Sequence, residues 1–392
     1  MLSEGRLRGR VVILAAVIVA LMATGTWFAL SHAQAKQAGL TAATSGQGHH
    51  TSKDPASSGP LRVLSLTPAG HARNVNGALP VQVRFSAALA AGSPLPTISP
   101  AIRGSWQRSG DVVEFVPKTA FAPLTRVTVR VPAGRSGVTS AGGGMLASRV
   151  VERFRVGSWS TVRLDQLLAQ LGYLPLTWTP ASGAVNPAPA GTSAQLAAAF
   201  SPPAGTFSWQ HGYPRELRTF WQPGKSGLVL QGAVMAFESD HLMTMDGVAG
   251  PAVWHALLRA VAAGQDNSHG YTYARASENS PETLTIWHDG HVVLRTLANT
   301  GIPAAPTTVG TAAVYLRYRF QIMRGTNPDG SKYADPVSFV SYFRAGEAVH
   351  YFPRGSYGFP QSLGCVELPY GAAEQAWPYL TYGSLVTVAP PS

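Results

Sequence analysis

The 392-residue chain reads as a multidomain protein: an N-terminal membrane helix, an all-β sandwich, a small three-helix module and a C-terminal β-rich domain. Three observations predict this. An uncharged apolar run sits at the N-terminus. The hydrophobic period is two over 61–157, turns helical over 158–264 and returns to two from 268. Stretches rich in Gly, Pro and Ser punctuate these changes. At roughly 100–200 residues per domain the length suits two to four domains. Charged residues make up 12% of the chain, about half the usual ~25%, which excludes disorder driven by excess charge over the whole chain.

The N-terminus sets the compartment. Arg6, Arg8 and Arg10 form a basic stub at 1–10, followed by Val11 to Leu30 without a charge. A run of about 20 apolar residues crosses a bilayer core of ~30 Å as a helix. Arginines stay on the cytoplasmic side, so everything after Leu30 lies outside. A cleavable signal has an apolar core of roughly 7–15 residues and a small-x-small site. Ala33-Gln34-Ala35 offers such a site, but the run is long, and a retained anchor over 11–30 is the preferred reading. Both readings place the folded part in the cell envelope, anchored or secreted. Residues 31–60 carry almost no large apolar side chain and read as a flexible linker. His49-His50 within it reads as solvated.

Thirty Lys+Arg stand against 19 Asp+Glu, a net charge of +11. No Lys/Arg block interleaved with aromatics appears, which excludes a dedicated nucleic-acid binder. A diffuse basic charge suits a polyanionic neighbour such as a bacterial wall or lipid surface. The single cysteine, Cys365, excludes an intrachain disulfide and a multi-cysteine zinc site.

Over 61–157, Val81-Gln82-Val83-Arg84-Phe85 and Val127-Thr128-Val129-Arg130-Val131 alternate with period two, and Val112 to Val116 is a further β-prone run. Ser109-Gly110-Asp111 marks a turn. Short strands at this spacing predict a sandwich. The segment resembles the bacterial immunoglobulin-like domains of cell-wall enzymes, which implies a spacer or docking module.

Over 158–264 the period changes. Leu164, Leu167, Leu168 and Leu171 line one face of a helix, with Gly172 as its stop. A Pro/Ala/Gly/Ser-rich stretch runs from about Thr177 to Gly205, a long insertion. Leu230, Val234 and Phe237 mark a second helix. Pro251 opens a third, whose apolar face holds Val253, Trp254, Leu257 and Leu258. The module resembles the three-helix peptidoglycan-binding domain through Leu171-Gly172-Tyr173, Ala236-Phe237-Glu238 and Asp246-Gly247-Val248-Ala249-Gly250-Pro251. That resemblance implies glycan as a partner; the residues alone also fit a packing module without a ligand.

Residues 268–392 again read as strands. Asp289-Gly290 between two β-prone runs signals a hairpin. Ala312–Met323 and Val337–Phe343 continue the pattern, Gly371–Tyr379 reads as a short helix, and Ser384–Val388 closes as a strand. The chemistry concentrates in His350-Tyr351-Phe352 and Ser362-Leu363-Gly364-Cys365-Val366-Glu367-Leu368. A cysteine nucleophile needs its thiolate, and a nearby histidine is the usual way to obtain it. A glycine before the cysteine lets backbone N–H groups turn toward an oxyanion. A lone cysteine is also often a small buried hydrophobe, and spacing alone leaves both open. The other histidines show no His-x-x-x-His or comparable metal spacing, so no metal site is expected.

The region resembles the L,D-transpeptidase catalytic domain of the YkuD type. His350, Ser362, Gly364 and Cys365 match the family's His and Ser/Thr-His-Gly-Cys motif. Asn299-Thr300-Gly301, Pro306 to Thr311 and Gly383 to Val388 resemble further family segments. Two positions depart: Leu363 stands for the motif histidine and Glu367 for an asparagine. The resemblance implies Cys365 as nucleophile, His350 as proton acceptor and donor, Gly364 at the oxyanion and the Tyr351 carbonyl orienting the imidazole. Ser362, Arg354 and Tyr357 are the implied substrate contacts. It implies 3→3 cross-linking of peptidoglycan stem peptides through a cysteine thioester with release of D-alanine, no cofactor, and acylation by carbapenems. Water as acceptor would make the enzyme an L,D-carboxypeptidase. A catalytically degenerate, membrane-tethered wall-binding protein is the alternative from another class.

Overall fold

The computed structural model describes residues 59–183 and 192–392. The basic stub 1–10, the expected membrane span 11–30 and nearly all of the linker lie outside the described residues. Among the described residues, no helix is long and apolar enough to cross a membrane.

The first domain holds β1 (Val63–Thr67), β2 (Val81–Phe85), β3 (Thr97–Ser99), β4 (Gly104–Ser109), β5 (Val112–Pro117), β6 (Arg126–Val131) and β7 (Val150–Arg155). They form two sheets, ordered β1-β2-β5-β4 and β3-β6-β7. The period-two pattern dictates the faces. Val81, Val83 and Phe85 of β2 and Val127, Val129 and Val131 of β6 point into one shared core, while Gln82, Arg84, Arg126 and Arg130 face out. Gly110-Asp111 joins β4 to β5, with Gly110 at φ +58°, a conformation glycine adopts without strain.

The helical part holds α1 (Thr161–Gln170), β8 (Leu176–Pro180), α2 (Thr192–Phe200), β9 (Gly205–Trp209), a 3-10 turn (Arg215–Phe220), α3 (Leu228–Asp240) and α4 (Pro251–Ala263). The three helices expected from periodicity are α1, α3 and α4. Pro251 opens α4 and Gly264, at φ +63°, ends it. At the edges of the stretch expected as a long insertion the chain forms an antiparallel hairpin, β8–β9, and the described residues within it include the helix α2. The stretch's Pro/Ala/Gly bias hides the paired apolar residues, Leu176 opposite Trp209 and Trp178 opposite Phe207, that hold the hairpin.

The last domain holds β10 (Thr272–Ser277), β11 (Thr283–His288), β12 (His291–Leu297), β13 (Gly310–Ala313), β14 (Leu316–Thr326), β15 (Lys332–Arg344), β16 (Glu347–Tyr351), β17 (Val366–Leu368), α5 (Tyr370–Ala376) and β18 (Leu385–Ala389). One sheet is ordered β12-β11-β10-β18-β13 and the other β14-β15-β16-β17. Ile286, Leu294, Val386 and Val388 of the first share a core with Phe339, Phe343, Val349 and Leu368 of the second. Asp289 (φ +45°) and Gly290 (φ +79°) make the two-residue turn between β11 and β12. The run expected as a strand over 312–323 is divided between β13 and β14, which belong to different sheets, while the strand expected over 337–343 is longer, and β14 and β15 form one extended hairpin.

The helical part and the last domain share a core. Tyr271, Tyr273 and Leu385 pack among the side chains of α1, α3 and α4. Tyr213 donates to the Tyr271 carbonyl at 2.7 Å, and Tyr273 to Glu216 Oε1 at 2.6 Å. Gly232 of α3 lies so close to Gly383 that a Cβ on it would sit 2.4 Å from the Gly383 carbonyl oxygen.

Candidate active site

Parallel pairing of β16 with β17 sets the geometry. It places His350 opposite Glu367 and leaves Cys365 one residue before β17, at the strand's mouth. Cys365 and His350 line one cavity of about 410 Å³, together with Arg354, Gln361, Leu363 and Glu367. The β14–β15 hairpin supplies the opposite wall, with Met323, Tyr333 and Asp335 among its residues there. Met323 and Asp335 are cross-strand partners, so the period of two aims both at the thiol side.

The turn before the cysteine is tightly fixed. Ser362 is buried; its hydroxyl donates to the Cys365 carbonyl at 2.6 Å and accepts from the Gly364 N–H at 3.1 Å. Gly364 takes φ +104°, a backbone region that side chains disfavour. The Gly364 N–H, expected at an oxyanion, is thus engaged by Ser362. Thr300 holds the same loop through its carbonyl, which accepts from the N–H groups of Gln361 and Ser362, both at 2.9 Å. Thr300 is fixed in turn by buried Glu282, which accepts its N–H at 2.6 Å and its hydroxyl at 2.8 Å. The Gly301 N–H bonds Thr307 Oγ1 at 2.8 Å. The Asn-Thr-Gly and Pro-Thr-Thr segments singled out in the sequence therefore support the cysteine loop from behind.

His350 is buried, and its Nδ1 lies 3.0 Å from the Tyr351 carbonyl oxygen. A carbonyl only accepts, so Nδ1 carries the proton and Nε2 keeps the lone pair. Burial holds the imidazole below its ordinary pKa, against smaller opposing effects of the Tyr351 hydrogen bond and the Glu367 charge. The ring is therefore a neutral base at pH 7. Burial pushes the Cys365 thiol up to about 12; the backbone N–H of Ala348 opposes this, and the Glu367 and Glu347 carboxylates add to it. The thiol donates weakly toward the Gly346 carbonyl at 3.8 Å. The resting pair is thiol and neutral imidazole.

Arg354 and Glu367 form a two-point ion pair, Nε to Oε2 and Nη2 to Oε1, each 2.8 Å. Arg354 also bonds the Gln361 carbonyl at 3.0 Å and lies over the Phe352 ring. Of the expected substrate contacts, Arg354 reaches the cavity, committed to Glu367. Ser362 and Tyr357 are not in its wall, and Tyr357 donates to the Phe352 carbonyl at 2.6 Å. Sequence reasoning missed Glu282, Glu347, Met323, Tyr333 and Asp335. Only the hairpin residues carried a signal, the odd-even pattern of β14 and β15, and it needed the register to be read.

Residues 273–388 match the family model of the L,D-transpeptidase catalytic domain, and residues 57–158 that of the bacterial Ig-like domain. Neither match extends over the helical part. Among solved structures, the L,D-transpeptidase from Mycobacterium smegmatis is 15% identical, with 84% of this chain and 99% of that one covered and a TM-score of 0.29. L,D-transpeptidase 3 from Mycobacterium tuberculosis is 16% identical, with 83% and 98% covered and a TM-score of 0.29. The catalytic domain of the E. faecium L,D-transpeptidase, solved acylated by ertapenem, is 25% identical over 30% of this chain and 97% of that one, with a TM-score of 0.28. The L,D-transpeptidase match is confined to residues 273–388, less than a third of the chain. No curated protein matches the chain.

Proposed function

From the premise that residues 273–388 are an L,D-transpeptidase catalytic domain, we propose that the chain forms 3→3 cross-links between peptidoglycan stem peptides in the cell envelope. The observation that supports this reading is one cavity lined by both Cys365 and a buried His350 whose Nε2 keeps its lone pair.

The thiol proton passes to His350 Nε2 as sulfur attacks the carbonyl of the third stem residue in a donor tetrapeptide. An S–C bond forms and the carbonyl oxygen becomes an oxyanion. With the Gly364 N–H engaged by Ser362, the Cys365 N–H is the donor we assign to it. The intermediate collapses, the C–N bond breaks, and the imidazolium protonates the departing D-alanine. A side-chain amine of a second stem then attacks the thioester, a C–N bond forms, the C–S bond breaks and the thiol is restored. Water in that role gives an L,D-carboxypeptidase.

Leu363 and Glu367 shape the cavity. Leu363 presents an apolar wall where the family carries histidine, and Glu367 holds Arg354 in place. The helical part is proposed as the glycan contact. Its groove of about 560 Å³ is lined by Trp159, Trp254, Gln231 and aliphatic residues such as Leu164, Leu228 and Val234, and the two indoles are the groups proposed to meet a sugar face. Carbapenems, one of which acylates the E. faecium domain, are proposed to acylate Cys365.

The test is intact-mass spectrometry of the protein after a carbapenem, and product analysis after disaccharide-tetrapeptide. A drug adduct absent from Cys365→Ala, with cross-linked dimer and free D-alanine, is expected. D-alanine without dimer makes the enzyme a carboxypeptidase. No adduct and no product, in a protein that still sediments with sacculi, makes the chain a degenerate wall binder.

A further inference from the structure

We infer that the outer face of the β3-β6-β7 sheet is a binding site for a phosphodiester polyanion. Arg126 and Arg130 of β6 and Arg153 and Arg155 of β7 all lie on this face, opposite the one that buries Val127, Val129 and Phe154. Arg126 stands directly across from Arg155. Like charges in directly opposed positions destabilise a sheet, and nothing nearby offsets them. None of these guanidinium groups has an ion-pair or side-chain hydrogen-bond partner among the described residues. The only acid of β7, Glu152, sits against Gly70 on the opposite side of the strand.

A second element completes the site. The loop at 71–75 is fastened along β7: the His71 N–H bonds the Arg153 carbonyl at 2.6 Å, and the Arg155 N–H bonds the Ala72 carbonyl at 2.8 Å. His71, at φ +66°, and Arg73 are thereby held beside the sheet arginines. Together His71, Arg73, Arg126, Arg153 and Arg155 line a recess of about 280 Å³.

Residue type and spacing identify the ligand. The charged groups in the recess wall are all arginine, and arginine's planar fork takes two oxygens of one phosphate. Neighbouring strands lie ~4.8 Å apart and alternate residues ~6.5 Å apart along a strand. The face is thus a grid of forks that a linear polymer of phosphodiesters can occupy at successive units. A recess rather than a plane favours such a polymer over a flat lipid surface. The inference is independent of the chemistry at Cys365.

The test is calorimetric titration of the full chain with poly(glycerol phosphate) at low and moderate NaCl, with poly-L-glutamate and phosphatidylglycerol vesicles as the other arms. The polymer should bind, more weakly as salt rises, because phosphate contacts release counterions. Arg126→Gln/Arg155→Gln should lose about ten-fold or more in affinity, and Arg126→Lys/Arg155→Lys part of that. The charge-matched pair Arg62→Gln/Arg135→Gln should bind within about two-fold of the unaltered protein. Equal loss in the charge-matched pair, equal affinity for polyglutamate, or binding to vesicles in preference to polymer would each overturn the inference. Unchanged turnover of a soluble stem peptide and a melting temperature no lower than that of the unaltered protein show that the variants are folded.

Discussion

Between residues 59 and 158 the chain carries 12 Lys+Arg and three Asp+Glu; between 273 and 388 it carries eight of each. The Ig-like domain thus holds most of the chain's net charge of +11, and the catalytic domain holds none. The arginines are used differently in the two. In the catalytic domain Arg354 is half-buried and locked onto buried Glu367, where each charge needs the other. In the Ig-like domain Arg126 and Arg155 face each other bare in solvent. Charge around the cysteine is arranged to cancel and to set proton affinities. Charge on the sheet is left available. The whole-chain value, read from sequence as diffuse, conceals this division.

The largest test of the contrast removes the base. His350→Gln keeps a polar ring-sized group but no basic nitrogen, and turnover should fall by roughly 10²–10⁴; stem-peptide hydrolysis or cross-linking followed by mass spectrometry reads it. Next is the ion pair. Arg354→Ala strands the buried Glu367 carboxylate and should cost about 3 kcal/mol in urea unfolding. A cost near zero would place that pair among surface arginines after all.

The thiol offers a pH test. Only the thiolate reacts, and the Cys365 thiol is pushed up to about 12. Iodoacetamide alkylation should therefore climb about ten-fold per pH unit from 7 to 10, with no plateau near neutrality. Glu367→Gln removes a carboxylate that raises the thiol's pKa, so alkylation at pH 8 should quicken several-fold. A plateau by pH 7 would mean that thiol and imidazole rest as an ion pair. The smallest effect belongs to the sheet: Arg155→Thr relieves repulsion with Arg126 and should raise Tm by no more than about 2 °C at low salt. The rise should vanish at high salt, because exposed charges are screened there.

Much of this is legible in the amino-acid sequence. Helix faces such as Leu164-Leu167-Leu168-Leu171 and strands such as Val81-Val83-Phe85 follow from period alone. The Asp289-Gly290 turn follows from its residue types, and Cys365 and His350 are singled out together by the family resemblance, not by their spacing. Other features were hidden for physical reasons. The β8–β9 hairpin brackets a stretch rich in Pro, Ala and Gly, and only two apolar pairs, Leu176–Trp209 and Trp178–Phe207, carry its signal. Glu282 is far from the motif in sequence and reaches Thr300 only through the fold. Asp335 faces the cavity because of a strand register that spacing does not specify. The Gly364 N–H was expected at the oxyanion, but the Ser362 hydroxyl two residues away is in reach and takes it.

Gly232 and Gly383 meet backbone to backbone, and Tyr271, Tyr273 and Leu385 sit in a core shared with three helices. The catalytic domain therefore does not end where its family match ends. A fragment cut at residue 268 would open a greasy flank that the intact chain never shows to water, and such flanks drive self-association. The border between the two parts is a seam within one folding unit. Swapping the helices for another module would require re-cutting the surface of the β-rich domain itself.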